Sequence, residues 1–218
     1  MPSTANQEPI RRGLCLVLAG PSGSGKTSIT ERLLARDTGI VQSVSATTRA
    51  PRPGEIEGVH YYFHSQASFD DLVANGGMLE HATVFGRSYG IPPAPVVSAL
   101  EKGIDVAFVV DWQGHRTLRE KLPGDVLGVF IEPPSFEILE ERLRNRGDIA
   151  EIIAQRMAVA EDEVSHDREF DRVVINYNLD DAVARVQAIL TVGRQERQPD
   201  DDKLDFADVC SYDMRERQ

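Results

Sequence analysis

Gly20-Pro21-Ser22-Gly23-Ser24-Gly25-Lys26-Thr27 is the stretch that decides the fold. It fits G-x-x-x-x-G-K-[ST] at every fixed position. Before it runs Leu14-Cys15-Leu16-Val17-Leu18-Ala19, a short apolar run that reads as a buried strand. After it, Ile29-Thr30-Glu31-Arg32-Leu33-Leu34 has helical spacing. Strand, glycine loop and helix are the context this pattern requires. The glycines let successive backbone N–H groups turn around a phosphate, and the helix N-terminus adds its positive dipole end. In that arrangement Lys26 reaches the outer phosphates of a nucleoside triphosphate, and the Thr27 hydroxyl is a ligand for Mg²⁺.

Further along, three more apolar runs read as buried parallel strands: residues 106–110, 126–131 and 172–175. Helical patterns separate them, at residues 27–35, 113–121, 135–146 (with Ser135 as N-cap) and 179–193. The last shows apolar residues at Ala182, Val183, Val186, Ile189 and Leu190. Strands alternating with helices predict a doubly wound parallel sheet. Two segments break the rhythm. Residues 45–97 mix short strands, at 61–63 and 78–84, with a short helix at 68–74. Ser68 and Asp71 stand there at capping-box spacing, and Gly76-Gly77 ends it. This reads as an inserted subdomain. Residues 147–168 are polar and helical in character, where a mobile lid would sit.

The bulk properties narrow the class. The chain has 218 residues, 41% of them hydrophobic and 6% aromatic, which suits one globular α/β domain with insertions. No run of eighteen apolar residues occurs, and residues 1–12 have no apolar core of a signal peptide, so neither a membrane partner nor export is expected. Cys15 and Cys210 make no metal spacing and no plausible disulfide, which fits a reducing cytoplasm. The net charge is −11. Residues 195–218 carry eight acidic and four basic side chains and read as a disordered acidic tail. An acidic body argues against a nucleic-acid partner. It leaves room for a small anion, because a few arginines in a cleft override the mean field.

Ser45-Ala46-Thr47-Thr48-Arg49-Ala50-Pro51-Arg52-Pro53-Gly54-Glu55 opens the insertion. Two arginines three apart, held by prolines, can clamp one phosphate with planar forks. A solvated basic turn is the other reading of those residues alone.

With the glycine loop upstream, the pattern S-x-T-T-R-x-P-R-x-G-E resembles that of guanylate kinases. The likeness runs from about Gly13 to Leu190. It implies an α/β fold: a P-loop NTPase core with a parallel sheet flanked by helices, an inserted mixed α/β GMP-binding subdomain and a helical lid. The implied division is a domain at 12–194, with the core at 12–44, 98–146 and 169–194, the insertion at 45–97 and the lid at about 147–168. The implied reaction is Mg²⁺-dependent phosphoryl transfer from ATP to GMP. Residues 20–27 are the implied ATP loop, with Thr27 on the metal. Ser45, Arg49, Arg52, Tyr61 and Tyr89 match the group that holds the GMP phosphate. Glu80 matches the carboxylate that reads guanine, and Asp111 an aspartate near the base and the metal region. Lys26, Arg49, Arg142, Arg146 and Arg156 are the implied catalytic cations. Read without the likeness, Arg142 and Arg146 share a helix face and could simply pair with Glu137 or Glu141.

Three features depart from the family pattern. Ile91 stands where a Ser or Thr hydroxyl is usual, Val109 stands where an Asp is usual, and the lid is one residue shorter. Two other readings are a kinase for a different phosphorylated acceptor, such as a ribose bisphosphate, and a non-catalytic binding module of the same fold. The retained Glu80 and Arg49–Arg52 clamp count against the first. The retained Lys26 and lid arginines count against the second.

Overall fold

The computed structural model describes residues 11–84 and 86–197. The expected acidic tail beyond residue 197, Cys210 and the first ten residues lie outside the described residues. The chain runs β1 (Cys15–Ala19), α1 (Lys26–Arg36), β2 (Ile40–Gln42), β3 (Ala46–Thr47), β4 (Tyr62–Phe63), α2 (Gln66–Ala74), β5 (Glu80–Val84) and β6 (Arg87–Ile91). It continues through α3 (Pro93–Glu101), β7 (Asp105–Val109), α4 (Trp112–Lys121), β8 (Val126–Glu132), α5 (Phe136–Asn145) and α6 (Ala150–Ser165). A single 3₁₀ turn, Asp167–Glu169, leads into β9 (Arg172–Ile175) and α7 (Leu179–Gln195).

Five strands form the main sheet in the order β2-β7-β1-β8-β9, all parallel. Every residue of β1 is fully buried. Alternate side chains serve opposite faces: Leu16 and Leu18 pack with Ile29 and Leu33 of α1 and with α7, while Cys15 and Val17 pack with Val96 and Leu100 of α3 and Leu118 of α4. Helices on both faces explain why the strand is apolar throughout rather than alternating. Each buried Leu or Val contributes roughly 1.5–3 kcal/mol. Phosphate-binding loops on such a sheet stand at the carboxyl ends of the strands, and the loop after β1 does so here. At the opposite end, fully buried Asp105 accepts from Arg11 at 2.7 and 2.9 Å, from Arg194 at 2.6 Å and from the Leu14 N–H at 2.9 Å.

The four anticipated core strands are present. The fifth, β2, escapes a reading by apolar runs because it has only three residues and two of them are exposed. Helix α2 starts earlier than its expected Ser68–Asp71 box. Ser65 is its cap, its hydroxyl accepting from the Ser68 N–H at 3.1 Å. Helix α3 carries no strong pattern in sequence, because Pro92-Pro93 reads as a break; Pro93 instead occupies the first helical turn, where its missing N–H costs nothing. Ser135 caps α5 as expected. The second sheet, β4-β3-β6-β5, is mixed: β3 and β4 run parallel, and β3–β6 and β5–β6 antiparallel.

Candidate active site

The loop between β1 and α1 ends at Gly25, whose φ of +105° lies in the left-handed region. Two things demand glycine there. Side chains rarely adopt that backbone, and a Cβ would stand 2.3 Å from Asn176 Nδ2. No side chain caps α1, so its first N–H groups face the loop. Backbone N–H groups and a dipole end of this kind suit an anion.

Lys26 Nζ donates to the carbonyls of Gly20 at 2.6 Å and Pro21 at 2.9 Å. Burial pushes its ammonium down to about 8; Glu163 pulls the other way and Arg146 adds to the shift. A cavity of about 550 Å³ opens here, lined among others by Lys26, Thr27, Arg142, Arg146 and Asn176. Thr27 is exposed at its edge.

Asn176 is the residue that motif reading missed. It follows β9, is 4% exposed, and donates through Nδ2 to the Ser24 carbonyl at 2.7 Å. Its backbone carbonyl accepts from Arg142 Nη2 at 2.7 Å. One asparagine thereby fixes the glycine loop and an arginine of α5 together. The sequence signal is a polar residue closing the apolar run Val173-Val174-Ile175. Arg142 does not pair with Glu137 or Glu141. Its Nη1 is buried with no protein partner, and burial lowers its affinity for its proton. Arg146 is likewise turned away from those glutamates: it and Arg156 both donate to Asp148 Oδ2, at 2.6 and 2.7 Å. The geometry thus groups Arg156 with Arg146.

The second cluster lies on the small sheet. Arg49 lies over the Tyr61 ring, 5.2 Å from its centroid, and the Tyr61 and Tyr89 rings stand edge to face at 6.2 Å. Arg49 Nη2 donates to Glu55 Oε1 at 2.7 Å, and the Arg52 N–H donates to Glu55 Oε2 at 2.6 Å. These contacts hold the Glu55 carboxyl down to about 2. The Arg52 side chain is exposed, and the Ser45 carbonyl accepts from the Tyr62 N–H at 2.9 Å.

Glu80 begins β5, directly across the ladder from Ile91. Ile91 is 3% exposed and belongs to the apolar cluster on the α3–α4 face. Burial, and then the charge of Asp111, push the Glu80 carboxyl up to about 7, against the pull of Lys121. Asp111 is exposed and caps α4, its Oδ1 accepting from the Gly114 N–H at 2.8 Å. Its charge acts on Glu80, Lys26 and Glu163 alike. Val109 ends β7 partly buried, with no carboxylate to offer.

A family profile described as guanylate kinase matches residues 12–192. The chain belongs to the guanylate kinase family. It is 59% identical over 186 residues to a guanylate kinase of Granulibacter bethesdensis, covering 85% of this chain and 87% of that one. It is 52% identical to a guanylate kinase of Gluconobacter oxydans, covering 84% and 89%. Among solved structures it is similar to the guanylate kinase of Anaplasma phagocytophilum, with a TM-score of 0.67, 35% identity and coverage of 85% and 88%. Family membership accords with the glycine loop, Arg142, Arg146 and Arg156, and the Arg49–Tyr61–Tyr89 cluster occurring in one fold.

Proposed function

We infer that this chain is a guanylate kinase, a nucleoside monophosphate kinase that transfers the γ-phosphoryl group of ATP to GMP, giving ADP and GDP. The observation that carries the acceptor is Glu80, a partly buried carboxylate set against Ile91 beside the tyrosine–arginine cluster. Guanine presents N1–H and N2–H₂ on one edge, and a carboxylate accepts both. Adenine has no N1–H and leaves a desolvated carboxylate unpaired, which is strongly unfavourable.

The roles of the residues follow. Residues 20–27 cradle the ATP phosphates. Lys26 exchanges the Gly20 and Pro21 carbonyls for phosphate oxygens. Arg49, Arg52, Tyr61, Tyr89 and Ser45 hold the GMP phosphate, and Asp111 borders the base. That phosphate is largely dianionic at neutral pH and needs no general base. Catalysis is therefore positioning and charge neutralisation by Lys26, Arg49, Arg142, Arg146 and Arg156. Residues 45–97 form the GMP-binding insertion and 147–168 the lid, whose closure excludes water.

Magnesium fits this site as a companion of the nucleotide. Among the described residues no group of three or more His, Cys, Asp or Glu side chains could hold a metal ion. The Thr27 hydroxyl stands at the cavity with Lys26, and Mg²⁺ prefers one or two protein oxygens plus phosphates and water. When bound, the ion neutralises charge on the phosphate oxygens. We place the reaction in the cytoplasm, where ATP and GMP are its small-molecule partners, with no nucleic-acid or membrane partner. Among the described residues no helix is long and apolar enough to cross a membrane.

The deciding experiment is ADP release with GMP, dGMP, IMP, AMP, CMP and UMP as acceptors. Release that depends on the guanine nucleotides is expected. Equal release with AMP refutes the role of Glu80, and no release with any acceptor favours a non-catalytic module.

A further inference from the structure

The connection between α5 and α6 is short, and Asp148 stands in its middle. Gly147 turns the chain with φ of +87°. Its N–H donates to the Arg144 carbonyl at 2.9 Å, and the Asp148 N–H to the Leu143 carbonyl at 3.3 Å. This paired ending of a helix fixes the backbone at Asp148. From that anchored point a single oxygen, Oδ2, accepts from both Arg146 Nη2 and Arg156 Nη1. Arg146 caps the C-terminus of α5, and Arg156 lies well inside α6. Two guanidiniums that share one acceptor atom must converge on one point. Without a counter-charge they would repel each other apart.

The contact contributes little to folding. Arg146 is 50% exposed and Arg156 31% exposed, and such pairs are worth about 0–1 kcal/mol. What it sets is direction. A guanidinium has about five N–H donors, and Asp148 engages one nitrogen on each arginine. Among the described residues their other nitrogens make no hydrogen bond, and Arg146 lines the same cavity as Lys26. We propose that Asp148 is a positioning residue for phosphoryl transfer: it holds Arg146 and Arg156 as a preformed pair that receives the oxygens of the transferring phosphoryl group. This rests on the guanylate kinase reading above. Preorganised donors lower the barrier because no reorganisation is needed as charge moves, and an error of about 1 Å in placing them costs on the order of a hundredfold.

The test is steady-state ADP release with ATP and GMP for Asp148→Ala, Asp148→Asn and Asp148→Glu, alone and with Arg146→Ala. Asp148→Ala is expected to lower kcat about tenfold or more. Both KM values should change less than about threefold, and the thermal midpoint should move by no more than about 4 °C. Asp148→Glu, which keeps the charge, should retain more kcat than Asp148→Asn. Adding Asp148→Ala to Arg146→Ala should cost less than it does alone, because one of the two arginines it positions is gone.

A kcat for Asp148→Ala within about twofold of the parent, or raised KM values at unchanged kcat, overturns the proposal. So does an equal loss in the Arg146→Ala background. If Asp148→Ala is unfolded by circular dichroism, the near-isosteric Asp148→Asn decides by the same kcat criterion. A parent protein with no GMP-dependent ADP release overturns the functional reading itself, which the variants do not address.

Discussion

On the proposed reading, Glu80 should make GMP affinity rise with pH while its own contribution to stability falls. Its carboxyl is pushed up to about 7 by burial and by Asp111. On that reading guanine binds the anion, so GMP affinity should follow the ionised fraction. With that value, about a quarter is ionised at pH 6.5 and about nine-tenths at pH 8, so the association constant rises about fourfold. The GMP phosphate, with a second pKa near 6, adds only about 1.3-fold over the same window. Titration calorimetry with GMP alone, at constant ionic strength and in two buffers of different ionisation enthalpy, measures both terms. About three-quarters of a proton should leave Glu80 on binding at pH 6.5, and about a tenth at pH 8. Glu80→Gln should remove the Glu80 part of the slope and weaken binding throughout, because its amide presents donors to a donor edge.

Stability should run the other way. The folded carboxyl titrates at about 7 and the unfolded one near its ordinary value of 4.5. Between these values the folded state holds more protons, so stability falls as pH rises through the window. Glu80→Gln should therefore match the parent near pH 4 and exceed it in thermal midpoint at pH 8. A parent affinity that stays flat with pH, or a slope that survives in Glu80→Gln, refutes the placement of the guanine edge.

Lys26→Ala should lower kcat by about a hundredfold or more with only a small change in thermal midpoint, since it removes a desolvated charge together with its two hydrogen bonds to the Gly20 and Pro21 carbonyls; circular dichroism with ADP release reads both. Arg49→Ala should weaken GMP binding by about 1.5–3 kcal/mol and leave ATP binding untouched, and direct titration with each nucleotide separates the two sites. Ile91→Thr should lower stability by about 1–2 kcal/mol, because it shortens a buried side chain and buries a hydroxyl; denaturant unfolding measures this. If the new hydroxyl reaches guanine, GMP affinity rises by up to about 1 kcal/mol in the same titration. Asp105→Ala should cost about 3 kcal/mol in urea unfolding with kcat intact, because it removes the buried carboxylate shared by Arg11, Arg194 and the Leu14 N–H, leaving Arg194 only Asp37.

The strand–loop–helix unit, the alternation of the core strands and helices, and the Ser135 cap were legible in the chain because each is local. Glycine spacing, apolar runs and a cap followed by a helix act over a few residues and leave a pattern there. The short edge strand β2 and helix α3 were not legible. Two exposed residues in three leave no apolar run in the first, and a proline pair that punctuates most chains starts the second.

The site divides in the same way. Lys26, Thr27 and Arg49 could be named as candidates from motifs, and Glu80, Arg142, Arg146 and Arg156 from the family resemblance. Their partners could not, because a hydrogen bond between distant residues leaves no spacing to read. Asn176 grips the Ser24 carbonyl across 152 positions of sequence. Asp148 stands only two residues from Arg146 and eight from Arg156, yet nothing in the spacing chose it over the glutamates of α5 as their partner; the turn after α5 did. The chemistry of Glu80 was also decided by the fold. Sequence marks it as a carboxylate, but only the packing around Ile91 and the approach of Asp111 hold its proton into the neutral range. Residue type sets which groups are available; desolvation and convergence are properties of the packed chain.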